Sequence, residues 1–164
     1  SFNDGELDGY VKASQASENV RAIEVLKANG VDCYAGIIVS PAWGHGDFAR
    51  LRRTLRSLGV KFINLQPLTP LPGTGLTVEE SRLIVGRTDY ARWDLANVTI
   101  RPEKMPLADF YREIIRTYTR VMVRPAHLLS HAKYPLGLQW RLAKGVWRVR
   151  RQYLRMYREA RCPS

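Results

Sequence analysis

The chain has 164 residues, 45% of them apolar and 10% aromatic, enough to bury a core and too many for a disordered segment. No stretch approaches the ~18 consecutive apolar residues of a membrane span, and the opening Ser1-Phe2-Asn3-Asp4-Gly5-Glu6 lacks the basic-then-apolar pattern of a secretion signal, so a cytoplasmic setting is expected. The net charge of +11 lies wholly in the last third: residues 1–110 hold thirteen Lys/Arg and thirteen Asp/Glu, whereas residues 111–164 hold thirteen Lys/Arg against Glu113 and Glu159.

Residues 17–30 read as a helix, with Ser17 as its cap, Val20, Ile23 and Leu26 at helical spacing, and Gly30 at its end. The apolar run 33–39 follows, read as a strand covered on both faces, and then a Gly/Pro loop over 40–46. Asp47 is the expected cap of a second helix, which presents Phe48, Leu51, Leu55 and Leu58 on one face and stops at Gly59. A second buried-type strand over 60–65 runs into the proline-rich loop 66–75. Helix, strand and loop, twice over, indicate repeated βα units with parallel strands, in which function gathers at the strands' C-terminal ends.

Further on, Thr77 with Glu80 predicts a capping box and a short helix to about Gly86, and residues 97–100 a strand. Pro106 opens a helix to about Val123 with Phe110, Ile114, Tyr118 and Val121 on one face. The last helix, residues 136–160, carries the most regular pattern. Leu138, Leu142, Val146, Val149, Tyr153 and Met156 form an apolar stripe, while Arg141, Lys144, Arg148, Arg151, Arg155 and Arg158 form a basic one. Trp140, Trp147 and Leu154 make a third line beside the basic stripe. Three uses of this helix fit the pattern: docking on the body with its arginines in water, contact with an anionic membrane surface, and tracking of nucleic-acid phosphates.

Residues 18–32, with the helix just described, resemble the segment before the fifth barrel strand of radical S-adenosylmethionine enzymes. Residues 34–39, followed by Ser40-Pro41, resemble that strand and its loop. Leu68-Thr69-Pro70-Leu71-Pro72-Gly73-Thr74 is similar to the sixth-strand signature of the subgroup that often carries a cobalamin-binding domain, and residues 95–113 are similar to that subgroup's C-terminal extension. The opening residues 1–7 look like the segment after the fourth strand, so the resemblance covers roughly residues 1–125.

The resemblance implies an α/β fold: a partial parallel (βα) barrel supplying the last two or three strands over residues 1–105, then a helical, basic C-terminal extension over 106–164. It implies that the fifth strand packs on the adenine of S-adenosylmethionine. The family's Gly-x-Ile-x-Gly-x-x-x-x-Glu pattern falls on Gly36, Ile38, Ser40 and His45, the last two departing from Gly and Glu. It also implies that Leu65, Gln66 and Pro67 lie under the adenine and Ser1 near the ribose. The function implied is that of a segment of a radical iron–sulfur methyltransferase, cyclase or related oxidoreductase, with S-adenosylmethionine, a [4Fe–4S] cluster and, in the subgroup, cobalamin as cofactors. The implied partners are the N-terminal remainder of the same polypeptide and a small-molecule or lipid-like substrate.

The family's cluster needs Cys-x-x-x-Cys-x-x-Cys, and the sequence has only Cys33 and Cys162, so this chain alone is expected to be inactive. His127 and His131 have the spacing of a metal pair but lack a third ligand in view. An incomplete barrel is expected to expose a strand edge and self-associate. The alternative from another class is a non-enzymatic module that binds nucleic acid or anionic membrane through the basic helix.

Overall fold

The computed structural model describes residues 16–124 and 134–162. In chain order the elements are α1 (Ala16–Ala28), β1 (Tyr34–Val39), α2 (His45–Ser57), β2 (Phe62–Pro67), two 3-10 turns at Glu80–Arg82 and Tyr90–Arg92, α3 (Leu107–Met122) and α4 (Leu136–Arg161). The architecture is α/β, with helices packed on a two-stranded parallel sheet.

The two βα units are built alike because their helices end alike. Gly30 and Gly59 adopt φ +70° and +69°, the left-handed region that a glycine enters without steric cost. In each, the next residue's amide reaches back over the last turn, Val31 to the Leu26 carbonyl at 2.9 Å and Val60 to the Leu55 carbonyl at 3.0 Å. The chain is thereby turned straight into β1 and β2. Asp32 and Lys61, each two residues past its glycine, tie the strand entries together at 3.0 Å.

Several expectations are corrected. α2 starts two residues before Asp47, with Gly44 as its cap, and the Asp47 carboxylate accepts the Gly44 amide at 2.9 Å from inside the first turn. Thr77 and Glu80 form no capping box; only the 3-10 turn Glu80–Arg82 appears there, with no side-chain cap. The cause is competition from residues 97–100. Ile84 donates to the Thr99 carbonyl and Arg101 to the Arg82 carbonyl, drawing the segment into an isolated antiparallel bridge between Leu83 and Ile100. Residues 97–100 form this bridge and no longer strand.

The strands are also not covered on both faces. Ala35, Ile37 and Val39 of β1 and Ile63, Leu65 and Pro67 of β2 are buried, while the residues between them are exposed or half-buried. With side chains alternating along a strand, the described helices cover one face and leave the other open.

On the covered face the core is continuous from Ile23 through both strands to Met156. Trp43, Phe48 and Phe110 pack edge to face in a row, 5.3 Å between successive ring centroids, and fix α3 alongside α2. The predicted face of α3 (Phe110, Ile114, Tyr118 and Val121) is buried as expected. Helix α4 runs back along α3, its end at the start of α3, where Arg112 donates to the Tyr157 hydroxyl. In α4 only Tyr153 and Met156 are buried, so the apolar stripe seats fully in the second half alone.

Candidate functional site

The parallel register sets Tyr34 beside Phe62, Gly36 beside Asn64 and Ile38 beside Gln66. All six lie on the open face. Gly36 leaves a gap in it, since a Cβ built there meets nothing within 4 Å. The result is a shallow shelf with a bare backbone stripe at Gly36, an apolar flank at Ile38 and amide side chains opposite.

The two sheet edges differ. The Leu68 amide donates to the Val39 carbonyl, so β1 turns the backbone groups of its odd-numbered residues toward β2 and those of Gly36 and Ile38 outward, to an edge that no other strand among the described residues pairs with. On the far side of β2 the Leu65 amide donates to the Tyr118 hydroxyl at 2.8 Å and the Leu65 carbonyl accepts the Tyr153 hydroxyl at 3.1 Å. Pro67 falls on the same edge, where its missing amide costs nothing. Tyr118 also donates to Asn64 Oδ1 at 3.3 Å. Burial pushes the Tyr118 phenol up to about 12 and the Tyr153 phenol up as well, so both are neutral donors at ordinary pH.

Of the residues singled out from sequence, Gly36, Ile38 and Gln66 therefore share the shelf. Leu65 and Pro67 turn their side chains to the core on the other face, and the backbone of Leu65 is occupied by the two tyrosines. Ser40 stands just past β1, where its hydroxyl accepts the Ala42 amide at 3.2 Å and its carbonyl the Trp43 amide at 3.1 Å. Ser1 lies outside the described residues, as do His127 and His131. Sequence reasoning missed Tyr34, Phe62 and Asn64; their period-two spacing from Gly36, Ile38 and Gln66 was the available signal.

At the C-terminal ends of the strands the proline-rich loop is held by its own hydrogen bonds. Thr69 Oγ1 donates to the Pro67 carbonyl at 3.0 Å, Thr74 Oγ1 to the Leu71 carbonyl at 2.6 Å, and Gly73 turns at φ +82°. A cavity of about 370 Å³ lies against it, bordered by Pro70, Leu71, Arg87, Tyr90 and Trp93.

His45 turns away from the shelf. It is the first residue of α2, and its Nδ1 lies 3.1 Å from Glu113 Oε1 of α3. Glu113 is buried and also accepts Arg52 at 2.5 Å and Arg116 at 3.4 Å, while Arg52 reaches Thr117 at 3.1 Å. Burial alone pushes the Glu113 carboxyl up. The hydrogen bonds from Arg52 and His45 and the charges of Arg52 and Arg116 outweigh it and hold the carboxyl below its ordinary value. The cluster joins α2 to α3 and borders a basic cleft of about 480 Å³.

The residues present do not fit an iron–sulfur cluster, because two cysteines cannot supply three thiolates. Cys33 is half-buried, its thiol pushed up by burial, and Cys162 is exposed. Among the described residues no group of three His, Cys, Asp or Glu is placed to hold a metal ion. Among them, too, no helix is long and apolar enough to cross a membrane.

No family model matches the chain, and no solved structure matches it. It is similar to the hopanoid C-3 methylase of Methylococcus capsulatus, 28% identical over 111 residues, which is 68% of this chain and 21% of that protein. The chain thus spans about a fifth of the length of the relative it matches. Wherever the matched stretch begins, its length makes it take in β2 and the proline-rich loop.

Proposed function

We propose that this chain is the C-terminal portion of a radical S-adenosylmethionine iron–sulfur enzyme that methylates an apolar, hopanoid-like substrate. The similarity to the methylase supports the methyltransferase class over a cyclase. The motif residues 68–74 support the subgroup that often carries a cobalamin-binding domain. Residues 1–105 then belong to the barrel and 106–164 to its extension, with the remainder of the barrel joining at the free edge of β1.

The observation that carries the reading is the open face of β1 and β2, with Gly36, Ile38 and Gln66 side by side. These residues fit S-adenosylmethionine. The bare backbone at Gly36 admits a flat ring at contact distance, Ile38 covers it, and the Gln66 amide offers one donor and one acceptor group for ring nitrogens. Tyr118 and Tyr153 hold the outer edge of β2 next to Gln66. S-adenosylmethionine supplies the methyl group and, with the cluster, the radical chemistry. The cluster's cysteines belong to another part of the polypeptide.

The reading frame encoding this chain is expected to carry Cys-x-x-x-Cys-x-x-Cys about 100–150 residues before Ser1, half a barrel's length. In that full-length enzyme Ile38→Asp is expected to weaken S-adenosylmethionine binding at least about tenfold in calorimetry, by placing a charge against an apolar ring. A frame without the motif, or an Ile38→Asp enzyme of unchanged affinity, overturns the proposal.

A further inference from the structure

The C-terminal ends of β1 and β2, with Ile38 and Gln66, are at one pole of the molecule; the opposite pole, at the strand entries, has a different character. There α2 and α3 finish together, and α4 begins beside the entry to β2. The first half of α4 has no buried residue. Leu136 is 82% exposed, Trp140 71% and Trp147 56%, and Val123, just past α3, is 53% exposed. Leu136, Trp140, Ala143 and Trp147 recur at spacings of four, three and four, so they form one line along the helix. At ~100° per residue, Arg141, Lys144, Arg148 and Arg151 form a parallel line about a quarter-turn away. No carboxylate interrupts either line, since the first acidic residue of α4 is Glu159.

The apolar line does not pack on the body. Between it and Phe62, Met122 and Val123 lies a mostly apolar groove of about 580 Å³, with Lys61 and Arg150 among its lining. Arg56, Arg120 and Arg124 stand at the ends of α2 and α3, where Arg56 and Arg120 line the basic cleft between those two helices. Burial first, and then the neighbouring charge of Arg56, hold the Arg124 guanidinium below its ordinary value.

A basic line beside exposed Trp and Leu is the composition of a helix lying in the plane of a membrane interface, where indole rings sit at headgroup depth and arginines meet phosphates. A nucleic-acid groove would use the arginines and leave Leu136, Trp140 and Val123 without purpose. We propose that this pole, centred on the first half of α4, docks on an anionic phospholipid bilayer, with Leu136, Trp140 and Trp147 in the interface and the adjoining Arg/Lys line on the headgroups. This inference rests on the surface alone and stands apart from the enzymatic reading. It sets Ile38 and Gln66, at the C-terminal ends of the strands, away from the bilayer, while Tyr34 and Phe62 at the strand entries lie toward it.

The test uses the 164-residue chain and sedimentation with vesicles of phosphatidylcholine, alone or with about one-third phosphatidylglycerol. Binding to the anionic vesicles is expected, weakening with salt, together with a blue shift of tryptophan emission from Trp140 and Trp147, since Trp43 and Trp93 are already buried. Replacing Arg141, Lys144 and Arg148 by Gln should cost up to about fivefold per charge. Leu136→Ala with Trp140→Ala should cost about tenfold and leave the melting temperature unchanged, because both side chains stand in solvent. Trp140→Phe with Trp147→Phe should keep binding within about twofold while abolishing the blue shift. Failure to bind anionic vesicles at low salt overturns the proposal. Binding that is indifferent to Leu136→Ala/Trp140→Ala and matched by a DNA duplex overturns it in favour of nucleic acid.

Discussion

The hydroxyl of Tyr118 and the backbone amide of Leu65, 53 residues apart in sequence, meet at 2.8 Å and end the sheet. A β-strand edge normally looks for another strand, and here a helix side chain takes that place while Tyr153 takes the matching carbonyl. Tyr118→Phe would leave a buried amide without a partner and is expected to cost about 2 kcal/mol, against about 1 kcal/mol for Tyr153→Phe, which strips only an acceptor of its donor. Urea unfolding of the two variants checks the order; equal or negligible losses would show that the edge is satisfied in another way.

Glu113 stabilises the contact between α2 and α3 in a pH-dependent manner. Its carboxyl is held below the ordinary value of 4.5. A depressed carboxyl contributes stability that is fully present above that value and lost as pH falls through the lower folded-state value. Glu113→Gln should cost about 3 kcal/mol at neutral pH, because Arg52 is left buried without its charge partner. It should also flatten the acid limb below pH ~4.5. Melting temperature against pH for the two proteins measures both effects.

Two glycines should answer oppositely to the same change. Gly59 holds φ +69° and a Cβ there would come within 3.3 Å of Lys27 Nζ, so Gly59→Ala is expected to lose about 1 kcal/mol. Gly36 sits in ordinary strand backbone with open space around it, so Gly36→Ala should change stability by less than about 0.5 kcal/mol. Thermal unfolding of both decides the point, and a destabilised Gly36→Ala would show that the face is already filled.

A larger side chain at Gly36 separates ligand from fold. In the full-length enzyme proposed above, Gly36→Val should leave the melting temperature within about 2 °C while weakening the proposed S-adenosylmethionine binding about a hundredfold by filling the shelf. Retained affinity would place the ligand elsewhere.

What could be read from sequence tracks how local each cause is. α3 and α4 are amphipathic over many turns, and the ends of α1 and α2 follow from single glycines, so all four were visible. The strands were visible too, but not their exposure. In 34–39 Gly, Ile and Val stand together whichever face is covered, and only packing reveals that Ala35, Ile37 and Val39 take the core side. Thr77 and Glu80 satisfied a local rule that Ile84 and Thr99 overrode. His45 with Glu113 and Leu65 with Tyr153 are pairs 68 and 88 residues apart, each unremarkable in its own segment.

The unlike edges of the sheet also set a ceiling on self-association. A fibre needs every copy to offer two complementary edges, one to receive and one to give. Among the described residues β2 is closed by two tyrosines and a proline, and only β1 offers a free edge. Copies that join strand to strand must therefore meet β1 to β1 about a two-fold axis, and the product is a closed pair with nothing left to propagate.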